Sequence, residues 1–230
     1  MRTIVIGDVH GCAGTLLALL DRVAPNMDDM VVMLGDLFDR GPDSYGVFKL
    51  VESLALSLGD RFVLLRGNHE DYLLSESLTL RQRWVWNQVG RGDTVKSFKA
   101  NGARMEDAVP FLRENCRLYW QGSRFQCVHA GLRKMPIEEN DINTLIHDHT
   151  VAEENQYAGP LTIVGHVALF APTHFPGDQQ EPEMLPPGEK LPLPQTGIIC
   201  IDTGCGKGGI LTALVAEGDQ YTLECVRQKG

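Results

Sequence analysis

The feature that most constrains the fold of this chain is a series of short apolar runs, each of which ends in a polar side chain. The first three runs are TIVIGD at 3–8, MVVMLGD at 30–36 and RFVLLRGN at 61–68. Near-continuous runs of Val, Ile and Leu of this length predict strands that are covered on both faces. Between them, 15–23 and 44–60 carry leucines at helical spacing. The alternation predicts β-α-β units with parallel strands.

The remainder of the chain adds further apolar runs with the same character. They are FQCVHAG at 125–131, LTIVGH at 161–166, GIICIDTG at 197–204, LTALVAE at 211–217 and YTLECV at 221–226. The last three follow one another closely, and this spacing predicts an antiparallel meander.

Two segments depart from the strand pattern. The segment at about 72–120 is charged, contains all three tryptophans and predicts a helical insertion beside the sheet. Seven prolines fall within 172–195, which predicts a long irregular loop. We expect a single domain over 1–230, because this length buries one sizeable α/β core.

The composition restricts the partners and the compartment. With 21 basic and 30 acidic residues, the net charge of −9 disfavours non-specific binding to nucleic acid or to an anionic membrane. The first residues lack the apolar core and cleavage site of a signal peptide, and no apolar run approaches a membrane span. The six cysteines form no CxxC pair, which favours free buried thiols. We therefore expect a cytoplasmic protein.

Polar side chains follow five of the predicted strands. Because ligand sites of open α/β sheets lie beyond the carboxyl ends of the strands, we expect these side chains to converge. The group contains oxygen and imidazole donors and no thiolate, which suits Mn, Fe or Zn at a catalytic site. A shared Asp can hold two cations about 3.5–4 Å apart, as in-line phosphoryl displacement requires. The side chains are Asp8, His10, Asp36, Asp39, Arg40, Asn68, His69, His129 and His166.

Each of these strand ends also has a simpler explanation when it is taken alone. A single GD after a strand is usually a turn, and the acids of GDLFDRG at 35–41 could cap the following helix. A lone strand-end His is usually a structural residue. Turns alone do not readily explain five such ends in this order, and together they favour a metal site.

The motifs resemble those of the calcineurin-like metallophosphoesterases, and within them the phosphoprotein phosphatase family. The resemblance is carried by GDVHG, GDLFDRG, GNHE, HAG and a later His, and it extends to WNQVGRGDTVKSF at 86–98 and IDTGCGKGGILTAL at 201–214. It implies an α/β four-layer sandwich, in which two mixed sheets are flanked by helices. It also implies two divalent metal ions, of which Mn²⁺ is expected and Fe or Zn are alternatives.

Roles for individual residues follow from motif position in this resemblance. The implied metal ligands are Asp8, His10, Asp36, Asn68, His129 and His166, with Asp36 bridging both ions. A metal-bound hydroxide would attack phosphorus. His69 would protonate the leaving oxygen and Asp39 would orient it, whereas Arg40 would hold phosphate oxygens. Glu70 and Asp71 are interpreted as supporting acids.

One segment departs from the family pattern. The family usually has a second phosphate-binding Arg after a Trp, and LIHDHT at 145–150 places His147 and His149 at those positions. Either His149 contacts the substrate phosphate, or the pocket is open and Arg40 and the metals hold phosphate. The third interpretation is a solvated polar turn.

The motifs allow two classes of substrate. The intact DRG and GNHE motifs favour a serine/threonine protein phosphatase, with a dinucleoside polyphosphate hydrolase as the alternative. A phosphorylated protein or a nucleotide polyphosphate is therefore the expected partner. A non-catalytic metal-binding scaffold is a hypothesis of another class, and loss of a ligand would be its signature. None of the six expected ligands is missing.

Overall fold

Two β-sheets form the centre of the computed structural model, which describes residues 1–150, 154–178 and 180–229. The strands are β1 (Thr3–Ile6), β2 (Met30–Met33), β3 (Phe62–Leu65), β4 (Cys116–Arg117), β5 (Tyr119–Gln121), β6 (Gln126–Val128), β7 (Thr162–Val164), β8 (Thr173–Phe175), β9 (Glu183–Met184), β10 (Leu191–Pro192), β11 (Ile198–Cys200), β12 (Asp202–Thr203), β13 (Ile210–Glu217) and β14 (Gln220–Arg227).

The first sheet has the strand order β10, β14, β13, β1, β2, β3, β4, with β12 paired to β13. Strands β1, β2, β3 and β4 are parallel, and β13 runs antiparallel to both β1 and β14. The predicted β-α-β units are therefore confirmed. The second sheet has the order β5, β6, β7, β11, β8, β9 and is also mixed.

The predicted C-terminal meander is confirmed for β12, β13 and β14, which pair antiparallel in that order, but the first half of the 197–204 run forms β11 in the other sheet. Strand β11 pairs with β7 and β8 in the second sheet, whereas β12, two residues later, pairs with β13 in the first. The chain crosses between the sheets at Ile201, which is fully buried. Short sequence separation suggested pairing, but an apolar run covered on both faces fits either sheet equally well.

The proline-rich segment is more regular than predicted, because it contributes β8, β9 and β10. Strands β9 and β10 lie at the edges of the two sheets. Pro192 lies within β10, and an edge strand tolerates a residue without an N–H group.

Helices cover the outer faces of both sheets. They are α1 (Ala13–Val23), α2 (Ser44–Leu58), α3 (Asn68–Leu74), α4 (Leu80–Gln88), α5 (Arg91–Ala100), α6 (Val109–Asn115) and α7 (Ile142–His147), with 3-10 turns at Gly59–Arg61, Met105–Ala108 and Ile137–Glu139. The predicted helical region at about 72–120 contains α4, α5 and α6, but its last residues form β4 and the start of β5.

Three apolar cores lie between the four layers of helices and sheets. On β1, Ile4 and Ile6 face the core under α1 and α2, whereas Val5 faces the core between the sheets. A third core lies between the second sheet and the α7 side of the molecule, where Leu145 packs with Val164. This alternation explains the continuous apolar runs, since both faces of the central strands are buried.

No helix among the described residues is long and apolar enough to cross a membrane. All six cysteines are free thiols.

Candidate metal centre

The predicted polar side chains meet at one rim, where the carboxyl ends of strands from both sheets come together. Asp8 and His10 follow β1, and Asp36 follows β2. From the second sheet, His129 follows β6 and His166 follows β7. The side chains of Asp8, His10, Asp36 and His129 are each 2% exposed or less.

The backbone at this rim is unusual. Five of the predicted site residues have positive φ, which non-glycine residues rarely adopt. They are His10 (46°), Asp36 (49°), Asp39 (71°), Arg40 (67°) and His166 (68°). Such conformations cost about 1–3 kcal/mol each and concentrate at functional sites. The strand ends are therefore shaped for placing side chains rather than for local stability.

Close backbone approach explains two of the motif glycines. A Cβ atom on Gly67 would lie 2.2 Å from Asp36 Oδ1, and one on Gly35 would lie 2.5 Å from the backbone N of Gly67. Only glycine lets the ends of β2 and β3 come this near.

Two groups of possible ligand atoms lie at the rim and share Asp36. The first cluster consists of His10, Asp36 and His69, and the second of Asp36, His129 and His166. In each cluster the ligand atoms lie within 4.8 Å of one another. Asp36 Oδ2 is 3.6 Å from His10 Nε2, and Asp36 Oδ1 is 3.5 Å from His129 Nε2. Asp36 thus directs one oxygen to each cluster.

Asn68 belongs to the second cluster as an amide oxygen donor. Its Oδ1 lies 2.9 Å from His166 Nδ1 and 3.2 Å from His129 Nε2. Five of the six predicted ligands are therefore brought together.

Asp8, the sixth predicted ligand, lies beside the clusters and contacts the second sheet. Its Oδ2 accepts a hydrogen bond of 3.0 Å from the backbone N–H of His166. Its role as a ligand stays a prediction.

Hydrogen bonds from the far side of two imidazoles orient them. His10 Nδ1 lies 3.0 Å from the carbonyl of Phe38, and His129 Nδ1 lies 2.8 Å from the carbonyl of Leu34. An Nδ1–H that donates to a carbonyl leaves Nε2 unprotonated and able to bind a metal ion. In His10 this nitrogen lies 3.6 Å from Asp36 Oδ2 and accepts a hydrogen bond from Arg40 Nη1.

Glu70 accepts hydrogen bonds from the backbone around Asp36. It is fully buried, and its two oxygens accept hydrogen bonds from the backbone N–H groups of Asp36 (2.7 Å), Leu37 (2.8 Å) and Gly67 (3.0 Å). The supporting role expected of Glu70 therefore consists of holding the two turns that follow β2 and β3.

Electrostatics at the rim fit divalent cations. Burial raises the pKa of Asp8 well above its ordinary value, and the carboxyls of Asp202 and Asp36 add to this effect. Burial likewise raises the pKa of Asp202 to about 6. Asp8 Oδ1 and Asp202 Oδ2 are buried without a hydrogen-bond partner among the residues that the structure describes. Buried acids without compensation favour a cation, and oxygen and imidazole donors suit Mn, Fe or Zn.

The imidazoles are held in the form that binds metal. Burial lowers the pKa of His10 and His129, and it lowers that of His166 to about 2, with the neighbouring His129 contributing. A neutral imidazole has the free lone pair that a cation needs. For Asp36, burial favours the neutral form, but the imidazoles of His129 and His69 outweigh it and lower its pKa.

His69 and Asp39, predicted as the acid and its orienting partner, are in contact. His69 Nδ1 lies 2.6 Å from Asp39 Oδ2, and both side chains are buried. Burial lowers the pKa of His69, but Asp36 and Asp39 outweigh this effect and raise it. His69 Nε2 is also 3.8 Å from Asp36 Oδ2, so the position is compatible with proton transfer and with metal contact.

Asp39 is in turn held by residues of the helical insertion. Its Oδ2 accepts from Trp86 Nε1 at 2.7 Å, and its Oδ1 accepts from the hydroxyl of Thr94 at 2.6 Å. These contacts of Trp86 and Thr94 with Asp39 were not predicted. The 86–98 segment was the signal, since its resemblance to the family begins at Trp86 and includes Thr94.

Arg40 and His149 each contact a different cluster. Arg40 Nη1 is 2.6 Å from His10 Nε2, in contact with the first cluster. The exposed ring of His149 stacks on His166 with centroids 4.2 Å apart and an interplanar angle of 22°. His149 is thus next to the second cluster, although nothing in this contact shows that it binds substrate.

A second polar chain beside the rim is centred on Asp71, which was interpreted from the sequence as a supporting acid. His147 Nε2 is 3.1 Å from Asp71 Oδ2, and the other oxygen of Asp71 forms an ion pair of 2.5 Å with Arg66. It ties α7 to α3 and holds the segment that carries His149. Asp202 was missed, although it follows a buried run within the IDTG motif.

Known proteins resemble this chain in sequence and in fold. The family model described as calcineurin-like phosphoesterase matches residues 1–191. A symmetrical bis(5'-nucleosyl)-tetraphosphatase of Pseudomonas fluorescens is 33% identical over 133 residues, which are 57% of this chain and 44% of the relative. One of Pectobacterium atrosepticum is 47% identical over 76 residues, 33% of this chain and 26% of the relative. The chain therefore spans less than half the length of these relatives.

Solved structures share the fold at low identity. A metallophosphoesterase from Sphaerobacter thermophilus superposes with a TM-score of 0.62 at 19% identity, over 100% of this chain and 90% of that chain. A protein serine/threonine phosphatase from Saccharomyces cerevisiae superposes with a TM-score of 0.64 at 12% identity, over 100% of this chain and 81% of that chain. Likenesses at this identity concern the architecture alone.

Proposed function

The chain belongs to the calcineurin-like phosphoesterase family, and from this premise we propose that it is a metal-dependent hydrolase of dinucleoside polyphosphates. The sharing of Asp36 between two ligand clusters carries the proposal of phosphoester hydrolysis, because this is the arrangement that two-metal displacement at phosphorus requires. The names of the sequence relatives support the substrate class.

The relatives favour the dinucleoside polyphosphate over the phosphoprotein that the intact motifs favoured. The physical reason is that GDLFDRG and GNHE supply metal ligands, a phosphate-binding Arg and an acid. Those residues contact the phosphate that is attacked, and they do not contact what the phosphate is attached to. Intact motifs therefore predict the reaction and leave the substrate undetermined.

Each residue of the site has a role in the proposed hydrolysis. Asp8, His10, Asp36, Asn68, His129 and His166 would hold the two cations. Two divalent cations, with Mn²⁺ proposed, would activate a water molecule and neutralise charge on the phosphate oxygens. Arg40 provides a permanently charged fork for phosphate oxygens next to the first cluster.

His69 supplies the proton on the leaving side. Hydrolysis adds water across the central P–O–P bond. The water oxygen bonds to the attacked phosphorus, and the bridging oxygen leaves with the second nucleotide and takes a proton. Asp39 keeps His69 Nδ1 hydrogen-bonded, so that Nε2 is the nitrogen that faces the rim.

A substrate panel tests the proposal. Metal-stripped protein would be reloaded with Mn²⁺, Fe²⁺ or Zn²⁺ and given diadenosine tetraphosphate, a phosphoserine peptide, a phosphothreonine peptide or p-nitrophenyl phosphate. We expect diadenosine tetraphosphate to give two molecules of ADP with the highest kcat/KM, measured by anion-exchange chromatography. A higher kcat/KM for either phosphopeptide would return the assignment to a protein phosphatase. No turnover of any substrate, with two metals bound, would favour the scaffold hypothesis.

A further inference from the structure

A pocket of about 320 Å³ lies in the helical insertion, between α3, α4 and the start of α5. We call it the insertion pocket, and its lining includes Tyr72, Arg83, Trp86, Asn87 and Arg91. Nothing in the proposed chemistry of the metal centre uses it. Its volume is at the lower end of the range of small-molecule sites, about 300–1,000 Å³, and suits one half of a dinucleotide better than the whole.

The insertion pocket adjoins the metal centre on the side of His69. The centroids of the Tyr72 and His69 rings are 6.2 Å apart, and Trp86 donates to Asp39, the partner of His69. Trp86 and Asp39 lie on the Nδ1 side of His69, so Tyr72 is the residue that borders both the acid and the insertion pocket. A leaving group that takes its proton from His69 therefore lies near Tyr72 and next to this pocket.

The start of α5 also packs directly behind the phosphate-binding Arg. A Cβ on Gly90 would lie 2.2 Å from the backbone N of Arg40, so the two segments are in contact. Arg91 follows Gly90 in the chain and therefore begins near Arg40, the residue proposed to bind phosphate.

The pocket combines flat rings with positive charge. The Tyr72 and Trp86 rings are stacked, with centroids 5.9 Å apart and an interplanar angle of 29°, and the guanidinium of Arg91 lies 5.0 Å from the Trp86 ring. Trp86 is 7% exposed, whereas Tyr72 is partly exposed and presents the accessible ring. Aromatic rings and guanidinium planes of this kind stack on nucleobases.

The two arginines of the pocket are available for a ligand. Within residues 1–150, 154–178 and 180–229, neither Arg83 nor Arg91 forms an ion pair with an acid. The acids that line the pocket have other partners, since Glu76 faces Arg113 at 3.8 Å and Glu106 faces Arg104 at 3.5 Å. The lining therefore holds two guanidinium groups and two carboxylates, and the guanidinium groups pair with neither of these acids, which leaves them able to bind phosphate groups.

We propose that the insertion pocket binds the leaving half of the substrate, a nucleoside diphosphate, with its phosphates at Arg91 and Arg83 and its base against Tyr72. This inference rests on the proposed function for the identity of the leaving group. It makes Tyr72 and Arg91 determinants of specificity for a nucleotide leaving group over a small alcohol.

Calorimetry on the metal-loaded protein tests this inference without turnover. ADP, adenosine and inorganic pyrophosphate would be titrated into the unmodified chain and into Arg91→Gln, Tyr72→Ala and Arg81→Gln. Arg81 is the matched control, since it is exposed on α4 and does not line the pocket. We expect the Kd for ADP to rise about tenfold or more in Arg91→Gln and in Tyr72→Ala, and to stay constant in Arg81→Gln.

The results distinguish this inference from the proposed function. Equal Kd values for ADP in all four proteins would overturn the inference, even if diadenosine tetraphosphate is hydrolysed. Binding of pyrophosphate as tight as that of ADP would also overturn it, because nothing would then recognise the nucleoside. If diadenosine tetraphosphate is not hydrolysed, the proposed function fails, and loss of ADP affinity in the two variants still supports the pocket.

A kinetic measurement gives a second readout. We expect Arg91→Gln to lower kcat/KM for diadenosine tetraphosphate about tenfold more than for p-nitrophenyl phosphate, whose leaving group cannot reach the pocket. An equal loss on both substrates would place Arg91 outside leaving-group recognition.

Discussion

The two ligand clusters differ in how far apart in the chain their residues lie. The first cluster comes entirely from the ends of β1, β2 and β3, which are neighbours in one sheet. The second joins Asp36 of the first sheet to His129 and His166 of the second. The hydrogen bond from His129 to the carbonyl of Leu34 spans 95 residues. The first cluster is thus a property of adjacent strand ends, whereas the second exists only when both sheets pack.

The clusters also differ in what borders them. Arg40, a permanent cation, contacts the first cluster, whereas the imidazole of His149 stacks on the second. Phosphate held between them would meet a strong bidentate donor on one side and a weaker, adaptable one on the other.

Removal of the shared carboxylate should have the largest effect. Asp36→Asn takes a charged ligand from both clusters, so we expect both metals to bind weakly and kcat to fall about 10³-fold or more, because metal ions supply several kcal/mol of transition-state stabilisation. Metal content by inductively coupled plasma mass spectrometry and kcat would be measured together.

Asp29→Asn is the matched control for that variant. Asp29 is also a buried acid, but it pairs with Arg2 far from the rim. We expect two metals and unchanged kcat in Asp29→Asn. Full metal occupancy in Asp36→Asn would show that Asp36 is not the bridging ligand.

Loss of a ligand from the second cluster should remove one metal. His129→Ala leaves the proposed ligands Asp8, His10 and Asp36 in place, and we expect the bound metal to fall from two to one per chain and kcat to fall about 10²-fold. The same stoichiometry measurement reads out the result. Loss of both ions would show that the two clusters bind metal cooperatively. They would then not be separate metal sites, although their geometry distinguishes them.

The orientation of the acid should appear in the pH profile. Asp39→Asn removes the carboxylate that helps to raise the pKa of His69. A general acid acts only when protonated, so activity is present below its pKa and declines as pH rises through it. We expect kcat to fall about 10²-fold and the decline to begin at lower pH than in the unmodified chain.

Metal content should stay at two per chain in Asp39→Asn, because Asp39 belongs to neither cluster. An unshifted alkaline limb, with reduced kcat, would assign proton transfer to a group other than His69.

The smallest effect is expected at His149. If this residue contacts the substrate phosphate, His149→Ala should raise KM for p-nitrophenyl phosphate up to about tenfold, because it removes one hydrogen bond to a charged group. Steady-state kinetics would be compared with His174→Ala, a histidine of β8 outside both clusters. An unchanged KM would remove His149 from the substrate site.

Much of the fold could be predicted from local patterns. The runs that became β1, β2 and β3 are apolar on both faces, and the helical spacing between them allows only crossover helices, so the parallel sheet followed. Strand β11 could not be assigned in the same way. GIICI packs equally well in either sheet, and its partners β7 and β8 are separated from it by residues that carry no pairing signal.

The candidate site likewise has features that the local sequence predicts and features that it does not. The identity of the donors could be read from the sequence, because Asp, Asn and His after buried strands are chemically distinctive. The placement of Asp8 against the His166 backbone, and the buried Asp202, could not, because both depend on contact between the two sheets.

The candidate donors and the strand ends that carry them could be predicted from the sequence, since side-chain chemistry and hydrophobic periodicity are local properties. Tertiary packing places two groups of donors around Asp36, brings Trp86 and Thr94 to Asp39, and makes Tyr72 and Arg91 line a pocket beside His69. Those relations arise from packing between segments distant in the chain, and no local pattern encodes the distance across a packed interface.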